Sequence, residues 1–276
     1  MESRNFDPLY AVVVWYNPNE KEVAAIELYC HDVERVIVVD NSTDDHSALL
    51  AGISNAKYIG NHSNLGIATA LNQGCQEAYK AGATWVLTMD QDSRFDQQSL
   101  TTYLAEAQQY SDFSRTGIFS PFHDCDGMPE RHHRHGRYEQ MARVMCSGNL
   151  LRLEAWHQAG GFRDDFFIDC VDNEICSHLR QLGYQVVRCN QVLLTHSLGD
   201  KLKYIGFGKK KTYIPHAPWR YYYIGRNMRR MMTLYPDERA YYRKETRKYI
   251  KRLCLYDWEH KASKLWQFFR GWLCRG

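Results

Sequence analysis

The shape of the apolar runs limits this chain more than any other feature. Residues 10–16 (YAVVVWY), 35–40 (RVIVVD) and 84–89 (TWVLTM) are short, continuous and rich in β-branched side chains. Runs of this length read as strands buried on both faces, since a strand with one wet face would alternate. Tyr58-Ile59 ends a further strand. Between the runs, residues 20–30 and 64–81 space their apolar side chains helically, with Ile67, Leu71, Cys75 and Ala78 on one face. Strand–helix alternation predicts an α/β fold built on a mostly parallel, doubly wound sheet with helices on both faces.

Ligands of such sheets bind beyond the carboxyl ends of the strands, so the residues there carry the chemistry. They are Trp15-Tyr16-Asn17, Asp40-Asn41-Ser42 and Asp90-Gln91-Asp92. The last places two carboxylates one residue apart at a strand end, a donor set suited to Mg²⁺ or Mn²⁺ bound together with substrate phosphates. A cap for a helix over 95–110 is the plainer reading. Asp40 can hydrogen-bond a base or ribose, or cap a helix over 44–50. Neither a P-loop nor a G-x-G-x-x-G follows a strand, which disfavours P-loop phosphoryl transfer and ordinary dinucleotide binding.

Residues 160–174 (GGFRDDFFIDCVDNE) are dense in acids beside Phe166, Phe167 and Ile168, and a helix over 172–181 follows. A carboxylate in partly apolar surroundings gains basicity and can take a proton from an alcohol. These acids would equally complement a helix dipole. His196 follows a strand over 185–195 and can ligate a metal or donate to a phosphate. The group His123, Cys125, His132, His133 and His135 has no zinc-ligand spacing and is interrupted by arginines, so it reads as a polar loop.

Together these residues resemble the inverting family 2 glycosyltransferases of GT-A (Rossmann-like) fold, and within them the bacterial rhamnosyltransferases. The matching pieces run in order: Val13-Val14-Trp15-Tyr16-Asn17, Val38-Val39-Asp40-Asn41-Ser42, Asn64-Leu65-Gly66-Ile67-Ala68 with Ala70-Leu71-Asn72-Gln73-Gly74, and Thr88-Met89-Asp90-Gln91-Asp92-Ser93. Ser147-Gly148-Asn149-Leu150, Phe167-Ile168-Asp169 through Glu174, His196-Ser197-Leu198-Gly199, and Arg220-Tyr221-Tyr222-Tyr223 with Arg226-Asn227 complete the set. The likeness spans about residues 9 to 230.

The resemblance implies a role for each. Asp40 would meet the nucleotide base and ribose, with Tyr16, Asn17, Gln91 and Asn64 to Gly66 lining the donor pocket. Asp92 would ligate a divalent metal, Mg²⁺ or Mn²⁺, with Asp90 near the ribose or metal and His196 approaching the metal or diphosphate. Arg220 and Arg226 would flank the donor phosphates or the acceptor. Asp172 best matches the family's general base. Because Val171 stands where many relatives have Glu, Asp169 and Glu174 remain open as bases. The implied reaction is a single displacement from a nucleotide sugar, with dTDP-L-rhamnose the best match. Galactofuranosyl- or hexosyltransfer from a UDP-sugar, a silent nucleotide-sugar or glycan-binding protein, and a sugar nucleotidyltransferase are the other readings. The last lacks a Gly-rich basic loop near the first strand.

Charge divides the chain. Residues 1–200 carry 15 Lys/Arg against 27 Asp/Glu, a net −12, and residues 201–276 carry 20 against 5, a net +15. We expect a catalytic domain over 1–212 and a basic, aromatic, helical region over 213–276. Arg243, Arg247 and Lys251 form one basic column, and Lys244, Lys248 and Arg252 the next; Trp258, Ala262, Leu265, Phe269 and Trp272 form an apolar stripe. That pattern suits contact with an anionic membrane surface, in keeping with a polyprenyl-diphosphate-linked glycan acceptor; the alternative is a stripe packed on the domain. No recognition motif accompanies the charge, so nucleic acid is not expected as a partner. No apolar run approaches the roughly 20 residues of a membrane span, and Glu2 and Asp7 argue against a signal peptide. Nine cysteines without a CxxC pair are expected as free thiols. The expected location is cytoplasmic, peripheral on the inner face of the plasma membrane.

Overall fold

A computed structural model describes residues 6–95, 97–125, 136–196, 202–206 and 209–274. The first four strands are β1 (Leu9–Trp15), β2 (Arg35–Asp40), β3 (Ala56–Gly60) and β4 (Trp85–Asp90), parallel in the order β3-β2-β1-β4. Helices α1 (Glu20–Glu27) and α2 (Ile67–Lys80) connect them. Successive side chains of β1 enter opposite apolar layers, Val12 on one face and Ala11, Val13 and Trp15 on the other, and all four are fully buried. This is why the run lacks alternation. Gly74 lets α2 lie directly on β1, because a Cβ there would overlap Val12.

Beyond β4 the sheet becomes mixed. The chain continues through β5 (Ser93–Arg94), α3 (Gln97–Gln109), β6 (Thr116–Cys125), β7 (Tyr138–Gln140), β8 (Asn149–Arg152), α4 (Leu153–Gln158), α5 (Val171–Gln181) and β9 (Gln185–His196). Strand β8 inserts antiparallel between β4 and β6, while β6 and β9 pair in parallel. Both β5 and β7 run antiparallel to β9. The parallel arrangement expected for the sheet therefore holds for β3-β2-β1-β4 and for the β6–β9 pair, with antiparallel strands between and beside them. A four-residue strand such as β8, Asn-Leu-Leu-Arg, carries no sign of its direction. The helix expected over 44–50 is a 3₁₀ turn, Ser47–Leu50, and α2 starts after Gly66, whose φ of 88° ends the preceding turn. A two-stranded ribbon, β10 (Leu202–Gly206) with β11 (Lys209–Tyr213), precedes the last helices.

Those are α6 (Pro218–Leu234), α7 (Arg239–Leu255) and α8 (Lys261–Leu273). Tyr221, Ile224, Met228 and Met231 of α6 join the core that holds Val12 and Ile37. Helices α6 and α8 meet backbone to backbone, since a Cβ on Gly225 would strike the Phe268 carbonyl and one on Gly271 the Tyr222 carbonyl. A buried ion pair, Lys264 Nζ to Asp257 at 2.7 Å, sits beside this crossing, and the Tyr221 hydroxyl donates to the same carboxylate. The expected stripe is thus corrected: Lys264, Phe268 and Gly271 make the seam, flanked by Leu265 and Trp272, while Trp258, Ala262 and Phe269 stay exposed. Apolar periodicity cannot anticipate a buried lysine whose charge is neutralised by Asp257. The column Arg243, Arg247, Lys251 is exposed. Arg252 instead lies over the Tyr249 ring at 4.1 Å.

No helix among the described residues is long and apolar enough to cross a membrane, and the eight described cysteines are free. Substituting Gly225→Val should lower stability by roughly 1–3 kcal/mol through overpacking. Gly52→Ala, where nothing lies near the added methyl, should leave the denaturant midpoint unchanged.

Candidate active site

The carboxyl ends of β1, β2 and β4 are tied to one another. The Tyr16 N–H donates to Gln91 Oε1 at 2.7 Å, and Gln91 Nε2 returns to the Tyr16 carbonyl at 3.3 Å. Asn17, at φ 48°, donates its N–H to Ser42 Oγ. Asp40 is fully buried. One of its oxygens accepts from the Ser42 N–H and hydroxyl, the other from the His46 ring at 2.8 Å and the Tyr58 hydroxyl at 3.0 Å. Both oxygens of the residue expected at the base or ribose thus accept hydrogen bonds from the protein itself. The carboxylate shapes the Ser42–His46 turn, because four donors converge on it.

The next turn meets the acidic segment. Asn64 Oδ1 accepts the Gly66 N–H, Asn41 Nδ2 donates to the Gly66 carbonyl, and the Ile67 N–H donates to the Phe167 carbonyl at 2.7 Å. A Cβ on Gly66 would fall 2.6–2.8 Å from Phe167 atoms, so glycine is needed on grounds of both space and φ. Phe167, Asp169 and Cys170 all hold positive φ, at 61°, 65° and 63°. Such residues cost about 1–3 kcal/mol each and persist only when their surroundings over-determine them.

Helix α6 supplies those surroundings. Asn227, with no exposed surface, donates Nδ2 to the carbonyls of Phe166, Ile168 and Asp169, each at 2.8 Å. Arg220 grips Asp169 with two bonds of 2.9 Å. Arg226 donates to the carbonyls of Asp165 and Phe166, and Arg230 to Asp165. Arg220 and Arg226, expected at donor phosphates or acceptor, are thus engaged with the acidic loop. Asn227 was not singled out as a site residue. Its signal was a polar side chain between Ile224 and Met228 on an otherwise apolar face.

The three acids differ. Asp169 is ion-paired to Arg220. Glu174 is buried and accepts from the Tyr235 hydroxyl at 2.6 Å, and burial raises its carboxyl. Asp172 is half-buried, accepts from the Asn173 N–H at 2.8 Å and pairs with no cation among the described residues. Burial pushes it up to about 6, with Asp90 and Asp169 adding repulsion. Asp172 and Asp90 therefore sense each other across the site.

Asp90 donates its N–H to Ser147 Oγ at 3.0 Å. Asp92 is exposed, and the next residue, Ser93, stands opposite His196 in the β5–β9 register. Exposed and half-exposed carboxylates two residues apart suit a hard divalent cation. Among the described residues no three His, Cys, Asp or Glu side chains converge on a ready-made metal site. The side chain of His196, residues 197–200, and His132, His133 and His135 lie outside the described residues.

Sheet-end turns thus face a braced acidic loop within a fold of GT-A type. The match to the family Glycosyl transferase family 2 covers residues 22–167. The chain is 31% identical over 243 residues to dTDP-rhamnosyl transferase RfbF of Shigella flexneri, covering 79% of this chain and 78% of that one. Two solved structures share the fold. S. aureus TarS 1–349, in complex with UDP-GlcNAc, has a TM-score of 0.58 at 11% identity, over 95% of this chain and 81% of that one. GalNAc-T7, with UDP, GalNAc and Mn²⁺, has a TM-score of 0.54 at 12% identity over 72% of this chain, which spans 44% of that protein. The chain belongs to glycosyltransferase family 2. It is a glycosyltransferase.

Asn227→Ala should strip donors from buried carbonyls and cost about 1–3 kcal/mol. Hydrogen exchange at residues 165–170 should accelerate in that variant. Wild-type protection there would remove the bracing role from Asn227.

Proposed function

We propose that the protein transfers L-rhamnose from dTDP-L-rhamnose, with inversion, onto a hydroxyl of a cell-surface polysaccharide or lipid-linked glycan precursor. The observation that carries the mechanism is Asp172, the one acid of the three free of a hydrogen-bonding side-chain partner, with its pKa pushed up to about 6. It supports the role of base because a group half-deprotonated near pH 6 is active at neutral pH and still accepts a proton well. Similarity to RfbF over most of both chains supports the rhamnosyl donor.

Asp172 takes the proton of the acceptor hydroxyl as that oxygen bonds to the anomeric carbon. The bond from that carbon to the nucleoside diphosphate breaks on the opposite face. Asp169, held by Arg220, keeps the loop in place and adds to the basicity of Asp172. Tyr16, Asn17, Asn64, Gly66 and Gln91 line the donor pocket, and Asp40 acts through the turn it holds. Asp92 and Asp90, with His196, would hold Mg²⁺ or Mn²⁺. When bound, the ion supplies positive charge to the leaving diphosphate. Residues 1–212 are the catalytic unit, and 213–276 brace it. The acceptor we infer is carried on a polyprenyl diphosphate, with the enzyme peripheral on the inner face of the plasma membrane.

Calorimetric titration should show dTDP binding more tightly than UDP when Mn²⁺ is present, with the metal effect lost in Asp92→Ala. Stronger binding of UDP would change the sugar. Asp172→Asn should keep the dTDP affinity and lose roughly 10²–10⁴-fold in transfer. In the wild type, where the base must be deprotonated, kcat/KM should fall about tenfold per unit as pH drops below about 6, and level off above it. A flat profile through pH 5–7 would move the base elsewhere.

A further inference from the structure

Helix α8 has two apolar faces, and the described residues cover only one. Lys264, Phe268 and Gly271 face α6 in the buried seam. On the other side Ala262, Trp266, Phe269 and Leu273 follow one another at helical spacing. Trp266 is 68% and Leu273 70% exposed, with Phe269 at 43%. Trp258, just before the helix, is 72% exposed, and Leu255 at the end of α7 extends the surface. Single exposed apolar residues are ordinary, whereas a contiguous set rimmed by polar residues marks a contact surface. Rotation of α8 cannot bury it. The Gly225–Gly271 crossing admits no side chain, and the buried Lys264–Asp257 pair pins the helix.

The rim identifies the partner. Residues 239–274 contain ten Lys/Arg and three Asp/Glu. Two of the three acids already have cationic partners: Asp257 is buried with Lys264 and Glu245 bonds Lys248; Glu259 lies beside His260. Arg247 and Lys251 lie exposed in a column that runs on to Leu255, and Arg270 flanks Trp266. The Lys261 ammonium sits 3.8 Å over the Trp258 ring. Tryptophans beside cations suit the headgroup layer of a bilayer, where the ring sits at the interface and the charges meet lipid phosphates. A second copy would bring the same positive rim against this one, which disfavours self-association.

We propose that the outer face of α8, with Trp258 and Leu255, seats in the interface of an anionic bilayer while the exposed lysines and arginines of α7 engage lipid phosphates. This deepens the membrane-borne acceptor reading above and rests on it for its purpose. Its test contains no sugar nucleotide. Full-length protein is sedimented with phosphatidylcholine vesicles, with and without phosphatidylglycerol. Binding is expected to the anionic vesicles alone, weakening as salt screens the charge, with a blue shift of tryptophan emission. The variant Trp266→Ser/Phe269→Ser/Leu273→Ser changes exposed side chains only, so its fold and dTDP affinity should persist while vesicle binding falls roughly tenfold or more. Arg247→Glu/Lys251→Glu should weaken binding independently. Wild-type protein that stays in the supernatant at low salt would overturn the proposal, as would a triple variant that binds like wild type. So would a dimer that the triple variant abolishes, which would give the face to a second copy. Loss of dTDP binding with vesicle binding intact would count against the transferase reading alone.

Discussion

Two amide protons of Asn227 serve three carbonyls, those of Phe166, Ile168 and Asp169. Much of the site depends on that arrangement. The loop it holds contains three non-glycine residues at positive φ, a backbone that would relax if left to itself. Helix α6 over-determines it, with Asn227 gripping the main chain, Arg220 the Asp169 carboxylate, and Arg226 and Arg230 the turn before. Through Phe167 the same loop fixes the start of α2 at Ile67, and so the Asn64–Gly66 turn. One helix outside the matched family segment thus holds the acidic loop and, through it, the Asn64–Gly66 turn.

This bracing also separates the three acids chemically. Arg220 neutralises Asp169, and Tyr235 occupies Glu174 deep in the interior. Asp172 is left at the first turn of α5 with a raised pKa and a view of Asp90. Identical functional groups within six residues acquire different roles because their partners come from different elements.

The last helices are therefore tied to the candidate site through more than α6. Glu238, between α6 and α7, accepts from Arg143 at 2.6 Å and from Ser177 at 2.8 Å, and it also pairs with Arg180. The network joins the loop before β8, helix α5 and the C-terminal helices. With one side of α8 locked against α6, the other is presented outward on a rigid support, as an interfacial surface requires.

Some of this was legible in the residues themselves. The unbroken runs of β1, β2 and β4 fixed strands covered on both faces, since only full burial removes alternation. The polar clusters at their ends followed from the rule that ligands bind there. The order of short motifs gave the family, and the charge division marked the tail. Other features depend on distance in space. The direction of β8, the enclosure of Asp40 by His46 and Tyr58, the choice among Asp169, Asp172 and Glu174, and the burial of Lys264 against α6 all turn on how the chain folds its segments back on one another. Local sequence determined which segments are strands and helices and which chemistry they bring, because periodicity and residue type are properties of neighbours. The tertiary structure alone decided which of those groups are neutralised and which stay available, because burial and pairing are set by whatever the fold brings alongside.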